Sequence, residues 1–172
     1  NRDATSPPRD HRPAEALKEY GLRRVLEDMG ARNFLAEAQW RTAWADLKLG
    51  DLEGAKRWGE AAVELSTLTG NAENLGDAHR LLGMIALEKN LLAEAESHLR
   101  EAVEIFTRLR FQHKLARSQY HLGKVCARQV GRRAEAESLL AAAVKTFATL
   151  GAAAELNRAE EELRELNAKL AA

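Results

Sequence analysis

Cysteine occurs once in these 172 residues, at Cys126. A single thiol closes no internal disulfide and builds no cysteine-based zinc site, and it fits a reducing compartment. Proline is confined to Pro7, Pro8 and Pro13, so everything after that point is free to be helical. No apolar run comes near the roughly 20 residues of a membrane span, and the opening NRDATSPPRDHRP is not a secretion signal. A cytoplasmic setting without membrane contact is the expectation. Net charge is missing as well, 26 Lys and Arg against 26 Asp and Glu, which removes the usual electrostatic reason to expect nucleic acid as a partner. The chain begins without Met, which reads as a segment cut from a longer protein.

What the sequence does have is repetition. LLAEAESHLREAVEIF begins at Leu91 and RRAEAESLLAAAVKTF at Arg132, with AEAES identical in both. Ala62-Val63-Glu64, Ala102-Val103-Glu104 and Ala143-Val144-Lys145 align, as do Leu35, Leu75 and Leu115, and Ala43, Gly83 and Gly123, so the period is 40 and then 41. Within a unit, Ala95, Leu99, Ala102, Phe106 and Leu109 fall at i, i+4, i+7, i+11 and i+14, which is helical spacing, and Ala136, Leu140, Ala143, Phe147 and Leu150 copy it. Gly30, Gly50-Asp51, Gly70-Asn71, Asn90, Gly131 and Gly151 punctuate the pattern where helices should stop. Each unit therefore predicts two helices of about 17 residues joined by a tight turn.

These residues resemble the tetratricopeptide repeat. Leu82-Gly83, Ala95, Leu99 and Ala102 match the family's Leu-Gly, Ala, bulky and Ala positions in order, and Leu122-Gly123, Ala136, Leu140 and Ala143 do so one period later. In the first unit only Ala55 and Ala62 match. Thr42-Ala43 stands for Leu-Gly there and Gly59 for the bulky residue, so that unit is placed by register. The long period looks like that of kinesin light chain and of bacterial signal-transduction regulators. The resemblance implies an all-α superhelix of antiparallel helix pairs with about eight helices. The expected layout is a flexible segment 1–12, a helix 13–29, repeats 31–70, 71–110 and 111–151, and a capping helix 152–170. In the cap, Leu156, Leu163, Leu166 and Leu170 form one apolar stripe, while Arg158, Glu160, Glu161, Arg164 and Lys169 keep the other side wet.

The resemblance also implies a concave groove lined by the first helix of each unit. On the third such helix Arg110, Lys114, Arg117, His121, Lys124 and Arg128 form one stripe at about 100° per residue, and no Asp or Glu occurs from Ile105 to Ala134. A row of cations suits carboxylates or phosphates on an extended partner. The competing expectation is internal neutralisation, with Lys114, His121 and Lys124 facing Glu155, Glu162 and Glu165 one repeat on. Trp40 and Trp44 would be aromatic anchors beside Arg80, Leu81 and Met84, with Tyr120 further along. Alternatively the three tryptophans, Trp58 included, fill the volume lost where Gly59 and Ser66 replace Leu99 and Phe106, and the volume argument favours that packing role.

His79, His98, His113 and His121 show no i, i+4 pair, so no metal and no cofactor are expected. Cys126 reads as a small buried thiol. No nucleophile, base and orienting group assemble, so the chain does not read as an enzyme. In the family's chaperone-tail clamp the five binding places would be Trp40, Trp44, Leu81, Arg117 and His121 here, and only Arg117 is a fair chemical substitute. The expected function is a scaffold for protein–protein interaction that holds a peptide or protein segment, acidic with apolar anchors, in its groove. The alternative is a sensor or oligomerisation arm of a larger bacterial signalling or transcription-regulatory protein, contacting another domain of the same polypeptide or forming a homodimer.

Overall fold

A computed structural model describes residues 32–168. The expected tail 1–12, the helix 13–29, Gly30, Lys169 and Leu170 lie outside the described residues. Among the described residues the regular structure is all helix: α1 Arg32–Leu49, α2 Leu52–Thr69, α3 Ala72–Glu88, α4 Leu92–Leu109, α5 Gln112–Ala127, α6 Arg133–Leu150 and α7 Ala153–Ala168. Adjacent helices run antiparallel. The turns follow from side chains at their ends. Asp51 and Asn71 accept the backbone N–H of Gly54 and Asn74 at 3.0 Å, which starts α2 and α3. Gly70 and Gly151 end α2 and α6 in the left-handed conformation, at φ 67° and 66°. Arg110 takes the same conformation at φ 56° without glycine's freedom, so the stop between α4 and α5 carried no signal in the sequence.

Small residues on one helix admit large ones from the next. A Cβ added to Gly83 would stand 2.5 Å from Leu99 Cγ, and one on Gly123 would stand 2.9 Å from Leu140 Cγ, so α3 closes on α4, and α5 on α6, only because no side chain intervenes. Leu99, Phe106, Leu140 and Phe147 are fully buried as a result, each worth about 1.5–3 kcal/mol of apolar burial. The first hairpin inverts the arrangement. Gly59 lies on α2, and Leu82 of α3 fills the space beside it. A leucine thus fills the space beside Gly59 itself. Trp40 and Trp58, partly buried, pack against the same cluster, as the volume argument expected.

Helix α1 also departs from an amphipathic pattern. It buries Gln39, Thr42 and Asp46 and exposes Phe34 and Trp44, which is why the first unit was visible by register alone. Beyond the hairpins, α1 packs on α3, α3 on α5 and α5 on α7, whereas α2, α4 and α6 do not touch one another through their backbones. Closer spacing on the odd-numbered side curves the stack and makes that side concave. The wider outer gaps are spanned by long charged side chains: Lys56 to Glu94 at 3.0 Å, Arg100 to Glu135 at 2.6 Å and Arg132 to Glu96 at 2.7 Å. Helix α7 buries Ala159 and Leu166 and leaves most of its other face in water, closing the last core.

Candidate functional site

Among the described residues, three hollows adjoin along the concave wall. The largest, about 700 Å³, lies between α1, α3 and α5, with Trp40, Trp44, Asp77, Arg80, Lys114 and Arg117 among its lining. Two smaller ones, of about 380 and 240 Å³, continue along α5 and share Met84, His121 and Lys124. Side chains reach this wall from α1 because Phe34, Glu37, Arg41, Trp44 and Lys48 recur at three- and four-residue steps, which places them on one face. Trp44 is 41% exposed, with Lys48 Nζ 5.5 Å from its ring. Trp40 is half-buried and donates its indole N–H to Asn74 Oδ1 at 3.2 Å, while the Asn74 amide donates to the Asn33 carbonyl at 2.9 Å. The packing role expected for the tryptophans therefore does not hold for Trp44, which faces the open groove.

Asp77 anchors the floor. It is 2% exposed, accepts Arg80 Nη2 on Oδ1 at 3.0 Å and Lys114 Nζ on Oδ2 at 2.6 Å. Lys114 also reaches Glu73 at 2.6 Å. The Arg80 guanidinium is equally buried. It directs Nη1 toward the Met84 sulfur at 3.7 Å, and its Nε has no acceptor among the described residues.

Arg117 sits beside this pair and differs from its neighbours. No hydrogen bond or ion pair to it occurs among the described residues. Burial pulls its guanidinium below the usual range, and the adjacent Arg80 adds to that, with Asp77 and Glu155 only partly offsetting them. A desolvated cation without a partner is costly in the free protein and ready for an incoming anion. His121 is mostly buried, edge-on to Tyr120 at 5.0 Å between ring centres. Its pKa lies well below the ordinary value because of burial, reinforced by Arg80, Lys124, Arg117 and Arg158, so the imidazole is neutral at pH 7.

Several expectations need correction. Leu81 is not in the groove; it is 1% exposed in the core with Ala43, Ala55, Leu82 and Ile85. Arg110 is not on the stripe, since its left-handed backbone takes it out of the α5 register. Arg128 is the C-cap residue of α5, and its guanidinium donates to the Leu87 carbonyl at 3.3 Å, tying α5 to the end of α3. Neutralisation occurs, but with different partners: Lys114 turns back to Glu73 and Asp77, His113 lies 3.5 Å from Glu155, and Lys124 lies 3.5 Å from Glu162. Long side chains reach about one helical turn along the neighbouring helix, so one-period equivalence does not identify ion-pair partners. Met84, Arg117, Tyr120, His121 and Lys124 line one hollow, and Arg80 joins Arg117 in the larger one, although the helical spacing had put Leu81 rather than Arg80 on this wall.

One pair escaped sequence reasoning. His79 on α3 and His98 on α4 approach to 3.0 Å between their Nδ1 atoms. They are 19 residues apart across a turn, so no helical spacing could reveal them. Burial lowers both, His79 to about 4 with His98 contributing. No group of three or more His, Cys, Asp or Glu that could hold a metal occurs among the described residues. Cys126 is buried and its thiol is pushed up by that burial. No helix among the described residues is long and apolar enough to cross a membrane.

Comparison with known proteins agrees with this architecture. No curated protein matches the chain. The crystal structure of BtubC (BKLC) from P. vanneervenii superposes with a TM-score of 0.60 at 19% identity, over 91% of this chain and 78% of that one, a likeness of fold. The tetratricopeptide repeat model matches residues 74–149, which span α3 to α6. Residues 74–149 carry the tetratricopeptide repeat, and the first hairpin and α7 continue the same stack on either side of them.

Proposed function

We propose that the concave wall docks a protein segment that bears carboxylates next to apolar anchors. The observation that carries this is Arg117, whose half-buried guanidinium has no partner among the described residues and lies next to Arg80, whose Nε is buried without an acceptor. A carboxylate placed there would accept from the Arg117 guanidinium and offset its repulsion with the buried Arg80. Trp44 and Met84 flank the position and offer apolar contact of the sort that concentrates binding energy. The repeat family generally serves protein interaction, and nothing in the groove assembles a nucleophile with a base, so the reading is non-enzymatic.

The test is capture of acidic peptides on an array by the wild-type chain and by a variant with Arg117→Glu and Lys124→Glu. Wild type should retain peptides that combine Glu or Asp with Leu or Phe. The double variant should lose capture while its helical circular dichroism is unchanged. Equal capture by both would remove the groove as the binding surface. Light scattering on the free chain separates docking of a partner from self-association through the same wall.

A further inference from the structure

His121 occupies a place on the concave wall that its neighbours make unusual. It stands on α5 between Arg117, four residues earlier, and Lys124, three residues later, and it lines both smaller hollows. From α1 comes Lys48, and from α3 come Arg80, Glu88 and, behind Arg80, Asp77; α7 brings Glu155, Arg158 and Glu162. The acids in this set are mostly engaged: Asp77 holds Arg80 and Lys114, Glu155 faces His113, and Glu162 faces Lys124. No titratable group of α4 or α6 lines either hollow. The imidazole thus sits among Lys48, Arg80, Arg117, Lys124 and Arg158, with acids mostly engaged by other cations, and borders space large enough for a side chain.

We propose that His121 takes up a proton when an acidic segment docks, so that the groove binds its partner more tightly as pH falls. This rests on the docking reading above and adds a regulatory property to it. The physical step is reciprocal. Positive neighbours and burial keep the proton off the free imidazole, and a carboxylate entering the hollow cancels that field and accepts a hydrogen bond from the newly formed N–H. Whatever the ligand does to the proton affinity of His121, the proton does to the affinity of the ligand. The carboxylates of the ligand remain ionised down to about pH 5, so the bound partner keeps its charge through the relevant window.

The probe is an acetylated, amidated decapeptide of Glu and Leu. Calorimetric titration at pH 7.5, 6.5 and 5.5, in two buffers of different ionisation enthalpy, measures affinity and proton uptake separately. Wild type should bind about tenfold more tightly at pH 5.5 than at pH 7.5, the gain expected when a bound pKa near the ordinary histidine value replaces a much lower free one. Uptake should approach one proton per peptide near pH 5.5. His121→Gln cannot titrate and should show a flat affinity profile with no uptake, and circular dichroism at each pH checks that both proteins remain folded. Binding that is equally tight at all three pH values, or pH dependence that persists in His121→Gln, overturns the proposal while leaving docking intact. Absence of peptide binding at every pH overturns the docking reading itself.

Discussion

Leu82 of α3 occupies the space that Gly59 of α2 leaves open, and a Cβ on that glycine would lie 2.7 Å from Leu82 Cδ2. In the next repeat the small and large partners exchange places, for there Gly83 of the first helix receives Leu99 of the second. The two glycines make similar contacts of different stiffness. At Gly59 the obstacle is a side chain alone, able to shift by a few tenths of an ångström. At Gly83 the Leu99 branch point stands 2.5 Å away with the Ala95 carbonyl oxygen at 3.2 Å behind it. Gly83→Ala should therefore cost about 1–2 kcal/mol, overpacking outweighing the roughly 1 kcal/mol of helix propensity gained. Gly59→Ala should lie within about 1 kcal/mol of wild type. Urea unfolding of both variants measures the difference, and equal losses would mean that the repeats do not differ in this way.

The floor of the groove should be far more sensitive to charge than its rim. Asp77→Asn leaves Arg80 buried and Lys114 with only Glu73, and breaking such a pair on one side costs about 3–5 kcal/mol. Glu73 is half exposed, so Glu73→Gln should cost less than about 1 kcal/mol. The same unfolding experiment checks both, and a small effect of Asp77→Asn would show that the buried cations find other acceptors.

Acid should weaken the fold in two stages. His79 is held near 4 and His98 is also lowered, so the native state prefers both neutral. Their stabilising contribution is complete above the unfolded value near 6.5 and declines as pH falls from there toward 4. Glu96, held at about 2 chiefly by hydrogen bonding from Arg132, behaves as a depressed carboxylate. Its contribution is complete above about 4.5 and is lost between there and 2. The urea midpoint should drop first between pH 6.5 and 4, and His79→Gln should make that limb shallower, with His98 and His121, both also lowered, supplying the rest. A midpoint that is constant down to pH 4.5 would contradict the histidine pair.

Legibility of this molecule in its sequence depends on the kind of contact. The helices of 74–149 could be read from Ala95, Leu99, Ala102 and Phe106 because a buried stripe must recur at helical spacing. The hairpin before them lacked that signal, since Gln39, Thr42 and Asp46 point inward and the large residue beside Gly59 comes from the following helix. Placement of Met84, Arg117, His121 and Lys124 on one wall followed from periodicity. The burial of Leu81, the partners of Lys114 and the meeting of His79 with His98 did not. Those depend on how far helices slide and turn against each other, and one chain's spacing does not encode that offset.

Docking of carboxylates is proposed for the concave wall, with Arg117 at its middle. The outer face carries cations too, Arg100 and Arg132, but both are held by Glu96 and Glu135. Nuclear magnetic resonance titration with an acidic Glu-Leu peptide tests the distinction directly through the Trp44 indole, the Met84 methyl and the Arg117 side-chain signals. These should shift in a saturable way while Arg100 and Arg132 stay in place. Shifts confined to the outer arginines, or none on the wall at millimolar peptide, would mean that carboxylates do not dock in the groove.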